Sequence, residues 1–254
     1  MIINGRAIAS GRAEGEVVVL NDDFSFLGGV DTATGELRVG GGGNISGRIF
    51  AFRRGKGSTV GSYTIFDLKS KGLAPAGIVN ATAETIVTTG AVIADIPLVD
   101  GIDIEALCTG DRAIIDGDAG TIELPDLELR EVVTGIVRRG DQILLMRRSD
   151  EEHHFPRSWG GASGRIEEGE GPEDAACREL MEETQIDARP VLIGKPFLVR
   201  GEGIIWRVHP VLFEAEAEPT LNWEHCDYRW VSPVEAVGMD TVPRLDEVLS
   251  RLGL

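Results

Sequence analysis

The stretch 164–186, GRIEEGEGPEDAACRELMEETQI, constrains this chain more than any other. It has a Gly, five residues, a Glu, seven residues, then Arg-Glu-Leu-x-Glu-Glu and, three positions on, the apolar Ile186. Pro172 suits the first turn of a helix, and Glu173 and Asp174 beside it favour the positive end of the helix dipole. The helix that follows sets Glu179, Glu182 and Glu183 at i, i+3 and i+4, so three carboxylates share one face. Alone they repel one another. A hard divalent cation resolves the conflict, because Mg²⁺ or Mn²⁺ takes oxygen ligands and is shared with substrate phosphates. The opposite face offers Ala176, Leu180 and Met181 for burial. A solvated acidic helix is the usual meaning of a charge run, but here Gly164, Glu170, Arg178 and the three later Glu fall in register with one template.

That template is the Nudix box, and the stretch resembles the Nudix hydrolases, with Gln185 standing where the family has Gly. The resemblance implies hydrolysis of a diphosphate linkage in a nucleoside diphosphate derivative or related phosphorylated metabolite. It makes Glu182 and Glu183 the principal metal ligands, Glu170 a further ligand, and Glu179 a ligand or the general base. Arg178 would orient Glu179, and Gly164, with Ser163 just before the first box strand, would offer a backbone carbonyl. The family fold is an α/β/α sandwich with a mixed sheet. A homodimer is among the expectations it carries.

The chain has 254 residues and a formal net charge of -17, with 26 acidic against 15 basic side chains beyond residue 125. Such a surface disfavours nonspecific nucleic-acid binding. Cys108, Cys177 and Cys226 are too scattered for a disulfide framework, a zinc site or an iron–sulfur cluster on this chain. No apolar run approaches membrane-spanning length, and the first ten residues hold no signal core, so a cytoplasmic protein is expected.

Two α/β domains follow from the change of character after Pro125, a domain of residues 1–125 and one of 126–254. In the first, strands are predicted at 16–20, 48–52, 77–79, 91–96 and 112–115, with helices at 63–71 and 83–90 and a loop at Gly40 to Gly43. GKGSTVGS, 55–62, feeds a helix N-terminus with backbone N–H groups that suit an anion, though no Walker loop is present. Spacing alone makes Ser62 an N-cap.

Three blocks of this half, GRAIASGRAEGEVVVLNDDFSFLGGVDTATGEL, GKGSTVGSYTIFDLKSKGLAPAGIVN and ADIPLVDGIDIEALCTGDRAIID, resemble the swivel domain of the aconitase X type, over about residues 4–123. The resemblance implies a β-rich swivelling β/β/α-type domain. It also implies a large-subunit partner holding an iron–sulfur cluster, and a role for Ser62 as proton acceptor. The alternative function is therefore the small subunit of an archaeal-type phosphomevalonate dehydratase, a hydro-lyase of isoprenoid biosynthesis, carrying an accessory Nudix module. This half holds no His, and VGGGGNISG stands where the family has a His/Pro-containing segment.

In the second half, 132–138 and 142–146 read as a hairpin about Gly140-Asp141. A loop at 150–161 carries His153, His154, Phe155 and Trp159. A strand is expected over 191–193 with 196–199, and others at 204–213 and 228–231, with the acidic run 214–219 as an edge strand. Trp206 and Trp223 are candidates for the core or for stacking on a base, and Glu224 for a further acidic ligand. Two short helices begin at Ser232 and Val242, the second with Val242, Leu245, Val248, Leu249 and Leu252 as its apolar stripe.

Overall fold

The computed structural model describes every residue except His153 and Glu202. The chain forms two compact units, one on Met1–Glu128 with Gly203 and Ile204, the other on Leu129–Gly201 and Ile205–Leu254.

The first unit runs β1 (Ile2–Asn4), β2 (Arg6–Ala9), β3 (Arg12–Leu20), a helical turn α1 (Phe26–Gly29), β4 (Ile49–Phe52), α2 (Val60–Ser70), β5 (Gly77–Asn80), α3 (Thr85–Ile93), β6 (Leu98–Asp100), β7 (Arg112–Asp116) and β8 (Thr121–Glu123). Its sheet has the order β1-β8-β7-β3-β4-β5-β6-β2. The run β3-β4-β5-β6 is parallel and its neighbours antiparallel, so the sheet is mixed. β4 and β5 are buried at every position, as strands covered on both faces must be. Phe24, Phe26, Phe50 and Phe52 meet mostly edge to face in the core, with centroids 4.7–6.2 Å apart.

The expected strand at 91–96 is not formed. Ala91 to Ile93 extend α3 by a turn, and the strand follows at β6. The β-branched pair Val92 and Ile93 imitates a strand, yet both are exposed at the helix end, so strand propensity was overridden by tertiary context. β1, β2, β6 and β8, three or four residues each, were too short to show a period. All four of Gly40 to Gly43 have positive φ, a conformation other residues rarely adopt.

The second unit runs β9 (Glu128–Arg139), β10 (Gln142–Arg148), β11 (Trp159–Gly160), β12 (Ala162–Arg165), α4 (Pro172–Thr184), β13 (Pro190–Ile193), β14 (Phe197–Arg200), β15 (Ile204–Glu214), β16 (His225–Val231), α5 (Pro233–Ala236) and α6 (Leu245–Arg251). β9 and β10 form the expected hairpin, with Arg139 opposite Gln142 and Gly140 at positive φ. One apolar cluster, with Leu180 and Ala176 of α4, packs on Val133, Val137 and Phe213. Another gathers Leu245, Val248, Leu249 and Leu252 of the last helix region over Ile136, Phe197 and Val208. Helices thus cover separate apolar clusters of the sheet.

Several expectations change here. The acidic run after Glu214 is not a strand, because β15 ends there. The segments 191–193 and 196–199, expected as one strand, form two, β13 and β14. Met181 is exposed, and Ala175, Glu183 and Thr184 join Ala176 and Leu180 on the buried face of α4. Trp223 is exposed. α5 starts from Ser232 with a capping box closed by Glu235. Among the described residues no helix is long and apolar enough to cross a membrane.

Candidate active site

β12 lies antiparallel to β9, with Ser163 opposite Thr134 and Gly164 opposite Val133, so both residues sit within the strand and not before it. The chain then turns through 166–171 into α4, whose N-cap Gly171 makes no side-chain cap and whose Pro172 opens the first turn. At its far end Gln185 takes the left-handed conformation (φ 59°, ψ 18°) and donates its N–H to the Met181 carbonyl at 2.9 Å. The departure from Gly at that position therefore leaves the turn intact and places a side chain where Gly has no Cβ penalty.

This turn-strand-helix unit stacks four carboxylates and one guanidinium. Arg178 grips Glu170 with two bonds, Nε to Oε1 at 3.0 Å and Nη2 to Oε2 at 2.9 Å. It also donates Nη1 to Glu179 at 2.7 Å and Nη2 to the Arg165 carbonyl at 2.9 Å. Hydrogen bonding from Arg178, then from the Glu167 N–H, holds the Glu170 carboxyl below its ordinary range. Glu179 leans over Gly164 so closely that a Cβ there would fall 1.9 Å from its Oε1. Only glycine permits that approach. Burial pushes Glu179 up, against the pull of Arg178. Glu182 is exposed, with Arg178 at 3.7 Å.

Glu183 is the unusual member. It is 1% exposed, and its Oε1 accepts the Ser163 N–H at 3.0 Å, yet its buried Oε2 has no hydrogen-bond partner. Burial drives its pKa well up, with Glu224 and Glu179 adding repulsion. His225 Nδ1 stands 3.6 Å away, also buried and unpartnered, and burial lowers that imidazole to about 4, so it is neutral near pH 7. Pairing of β16 with β10 sets His225 opposite Arg148, which carries an ion pair to Glu152 at 2.9 Å. Glu224 is bonded to Asn222 at 3.3 Å, and burial, then Glu152, raises it. Arg148, Glu152 and His225 were not singled out from the sequence. Arg148 and Glu152 meet locally, four residues apart, and it takes the β10–β16 register to bring His225 to them.

Among the described residues no three His, Cys, Asp or Glu side chains are already arranged to hold a metal ion, and Arg178 engages Glu170 and Glu179. The donors nonetheless fit a hard divalent cation. They are all oxygens, and a buried carboxylate oxygen without a partner is a group that a cation would satisfy.

A cavity of about 240 Å³ shares Ser163 and Gly164 with this cluster. Its walls include Val132, Phe197, Val199, Trp206 and Val208, with His154 and Phe155 from the loop after β10. His153 lies outside the described residues. Trp159 is buried in β11 instead.

In the first unit, Ser62 is the third residue of α2, and the N-cap position belongs to Thr59. Ser62 is 5% exposed, and its hydroxyl donates to the Ile86 carbonyl at 2.8 Å. Gly61 beside it allows α2 to approach Ile86, whose Cγ2 would lie 3.0 Å from an added Cβ. Part of the preceding loop is committed to structure, since the Lys56 N–H bonds the Phe24 carbonyl.

Comparison with known proteins divides the chain likewise. A family model for the aconitase X swivel domain matches residues 2–124, and one for the NUDIX domain matches 128–252. Over 131 residues the chain is 50% identical to the phosphomevalonate dehydratase small subunit of Thermococcus kodakarensis, covering 49% of this chain and 96% of that protein. It belongs to the aconitase X swivel family. Its second half is a Nudix domain. The small subunit from Archaeoglobus fulgidus is 47% identical over 125 residues, 47% of this swivel–Nudix chain and 95% of the other. A crystal structure of Thermococcus kodakaraensis aconitase X in its holo form is 48% identical, with a TM-score of 0.47, over 49% of this chain and 98% of that one.

Proposed function

We propose that the Nudix domain is a Mg²⁺- or Mn²⁺-dependent hydrolase that cleaves a diphosphate linkage in a phosphorylated small molecule. The observation that carries this reading is the unpartnered Glu183 Oε2, buried beside Glu179 and the Gly164 strand. Glu182 and Glu183 would be the principal ligands, joined by Glu179, Glu170 and the Gly164 carbonyl. A bound divalent cation neutralises diphosphate charge and makes a water nucleophilic near neutral pH. The chain does the rest. Glu179 is the candidate proton acceptor from the attacking water, raised by burial toward the working range of a base. Arg178 holds Glu179 and Glu170 in place through four charge-assisted bonds, counting that to the Arg165 carbonyl. The uncharged His225 closes the inner wall without adding a competing positive charge.

Glu182→Gln tests the assignment. The variant is expected to keep its fold by circular dichroism and to lose Mg²⁺-dependent phosphate release. Turnover equal to the unmodified protein would sink it.

A second reading applies to the first unit, with the functional boundary placed between Pro125 and Asp126. Identity near 50% across almost the whole length of dehydratase small subunits favours a small-subunit role, with Ser62 as proton acceptor and a large subunit as partner. The hydrogen bond to the Ile86 carbonyl fixes the direction of the Ser62 hydroxyl proton and leaves its lone pairs available. Co-purification with an aconitase X-type large subunit, followed by loss of dehydratase activity in Ser62→Ala, is the check.

A further inference from the structure

Resting on the hydrolase reading above, we propose that His225 is a positioning residue, which donates its Nδ1–H to Glu183 Oε2 and aims that carboxylate at the bound cation. Three observations carry this. The first is the pair itself. Nδ1 and Oε2 stand 3.6 Å apart, and each is a buried polar atom without a hydrogen-bond partner. At that separation no bond is formed, but a small turn of either side chain closes the gap. Bonds of this kind are often long until a site is loaded.

The second is where the proton must lie. A bare Nδ1 would set its lone pair against those of Oε2 in a place without solvent, so one proton belongs between them. A carboxylate that ligates a cation is ionised, which leaves that proton on the imidazole. Oε2 has two lone-pair directions, one for this N–H and one for the cation.

The third is how His225 is delivered. The segment before β16 is docked on the end of α4 by two backbone bonds. Thr220 N–H reaches the Thr184 carbonyl at 2.8 Å, and Asn222 N–H reaches the Glu183 carbonyl at 3.3 Å. β16 then sets His225 opposite Arg148, whose Nη2 is committed to Glu152 at 2.9 Å. One segment therefore holds the main chain of Glu183 and brings the imidazole to its side chain. On the other side the Ser163 N–H holds Oε1 at 3.0 Å. With one oxygen tied, the carboxylate still pivots about that bond. A donor on Oε2 removes the freedom and fixes the plane offered to a ligand, as partners behind a metal ligand do.

A histidine that only fills space needs no donor at Nδ1, so replacements that keep or lose that donor separate the two roles. The full chain and two variants would be titrated with Mn²⁺, and the free ion followed by electron paramagnetic resonance. His225→Leu fills the volume without a donor and should weaken Mn²⁺ binding about 10- to 100-fold. His225→Asn sets an amide N–H near the place of Nδ1 and should recover most of that affinity. Circular dichroism reports the fold of each. In the unmodified protein saturated with Mg²⁺, nitrogen NMR of labelled histidine should show Nδ1 of His225 as the protonated nitrogen.

The proposal is overturned, with the hydrolase reading left standing, by any of three results. These are undiminished Mn²⁺ binding in His225→Leu, no recovery in a folded His225→Asn, and a bare Nδ1 in the loaded protein. If the unmodified protein binds neither ion, the hydrolase reading fails and takes the proposal with it. Where neither variant folds, the protonated nitrogen alone decides.

Discussion

Asp100 in the swivel unit and Glu183 in the Nudix unit are both carboxylates with almost no exposure, 0% and 1%, yet they are treated in opposite ways. Asp100 on β6 faces Arg6 on β2 in register and accepts its Nε at 2.8 Å and Nη2 at 2.6 Å, with the Ala83 N–H at 2.9 Å as a third donor. Burial alone would raise its pKa, but the Arg6 and Ala83 bonds outweigh burial and leave it lowered. Glu183 has one N–H donor, one empty oxygen and a raised pKa. A buried charge with both oxygens hydrogen-bonded ties strands together and needs no other explanation. One left half-satisfied costs stability and implies a ligand. The nearest equivalent in the swivel unit is Asn80 Oδ1, but that amide is neutral and its Nδ2 reaches the Phe52 carbonyl.

The contrast breaks most visibly in activity. Glu183→Gln should cut Mg²⁺-dependent hydrolysis by about 100- to 1,000-fold, about 3–4 kcal/mol of barrier, while urea midpoints of the Nudix unit hold or rise because a buried charge is gone. A loss of stability with activity kept would mean that Glu183 is structural after all. Gly164→Ala comes next. The added Cβ would collide with the Glu179 carboxylate, which can swing away, so turnover should fall about tenfold or more with little change in the melting curve.

Asp100→Ala should do the reverse. Two charge-assisted bonds from Arg6 and one from Ala83 are lost, so the swivel unit should unfold with about 2–3 kcal/mol less stability by denaturant titration, and hydrolysis should be untouched. Its pH dependence has a definite sign. The folded pKa is depressed, so the contribution of Asp100 is complete above the unfolded value near ~3.9 and disappears as pH falls through the lower folded value. Acid titration of the swivel unit should therefore show a loss that Asp100→Asn abolishes. An unchanged acid limb in that variant would remove Asp100 from the account.

The same contrast explains what the sequence disclosed. Glu170, Arg178, Glu179, Glu182 and Glu183 were legible because one helix and its entry loop hold all of them, so spacing alone predicts a shared face. The hairpin at Gly140 and the end of α2, expected at 71 and found at Ser70, were legible for the same local reason. Asp100 was not. Its meaning depends on Arg6, 94 residues away, and on a pairing of β2 with β6 that no local period announces. Arg148 and His225 were hidden likewise, since only the β10–β16 register brings them together. Val92 and Ile93 misled because a buried strand and an exposed helix end can share the same β-branched run.

The smallest effect tests the helix on which the carboxylates sit. Gln185 closes α4 at φ 59°, where a Cβ costs roughly 1 kcal/mol that glycine avoids, and glycine gives some of this back through its greater freedom when unfolded. Gln185→Gly should therefore stabilise the Nudix unit by about 0.5–1 kcal/mol, read as a rise in the urea midpoint at constant m-value. The Gln185 N–H bond to Met181 uses backbone alone, so the substitution keeps it. Glu179, Glu182 and Glu183 all lie N-terminal to the cap, on turns whose geometry the swap does not touch, and kcat/KM should stay the same. A stabilised variant with reduced turnover would show that strain at the helix end is used by the site, and would place Gln185 with the carboxylates instead of with the scaffold.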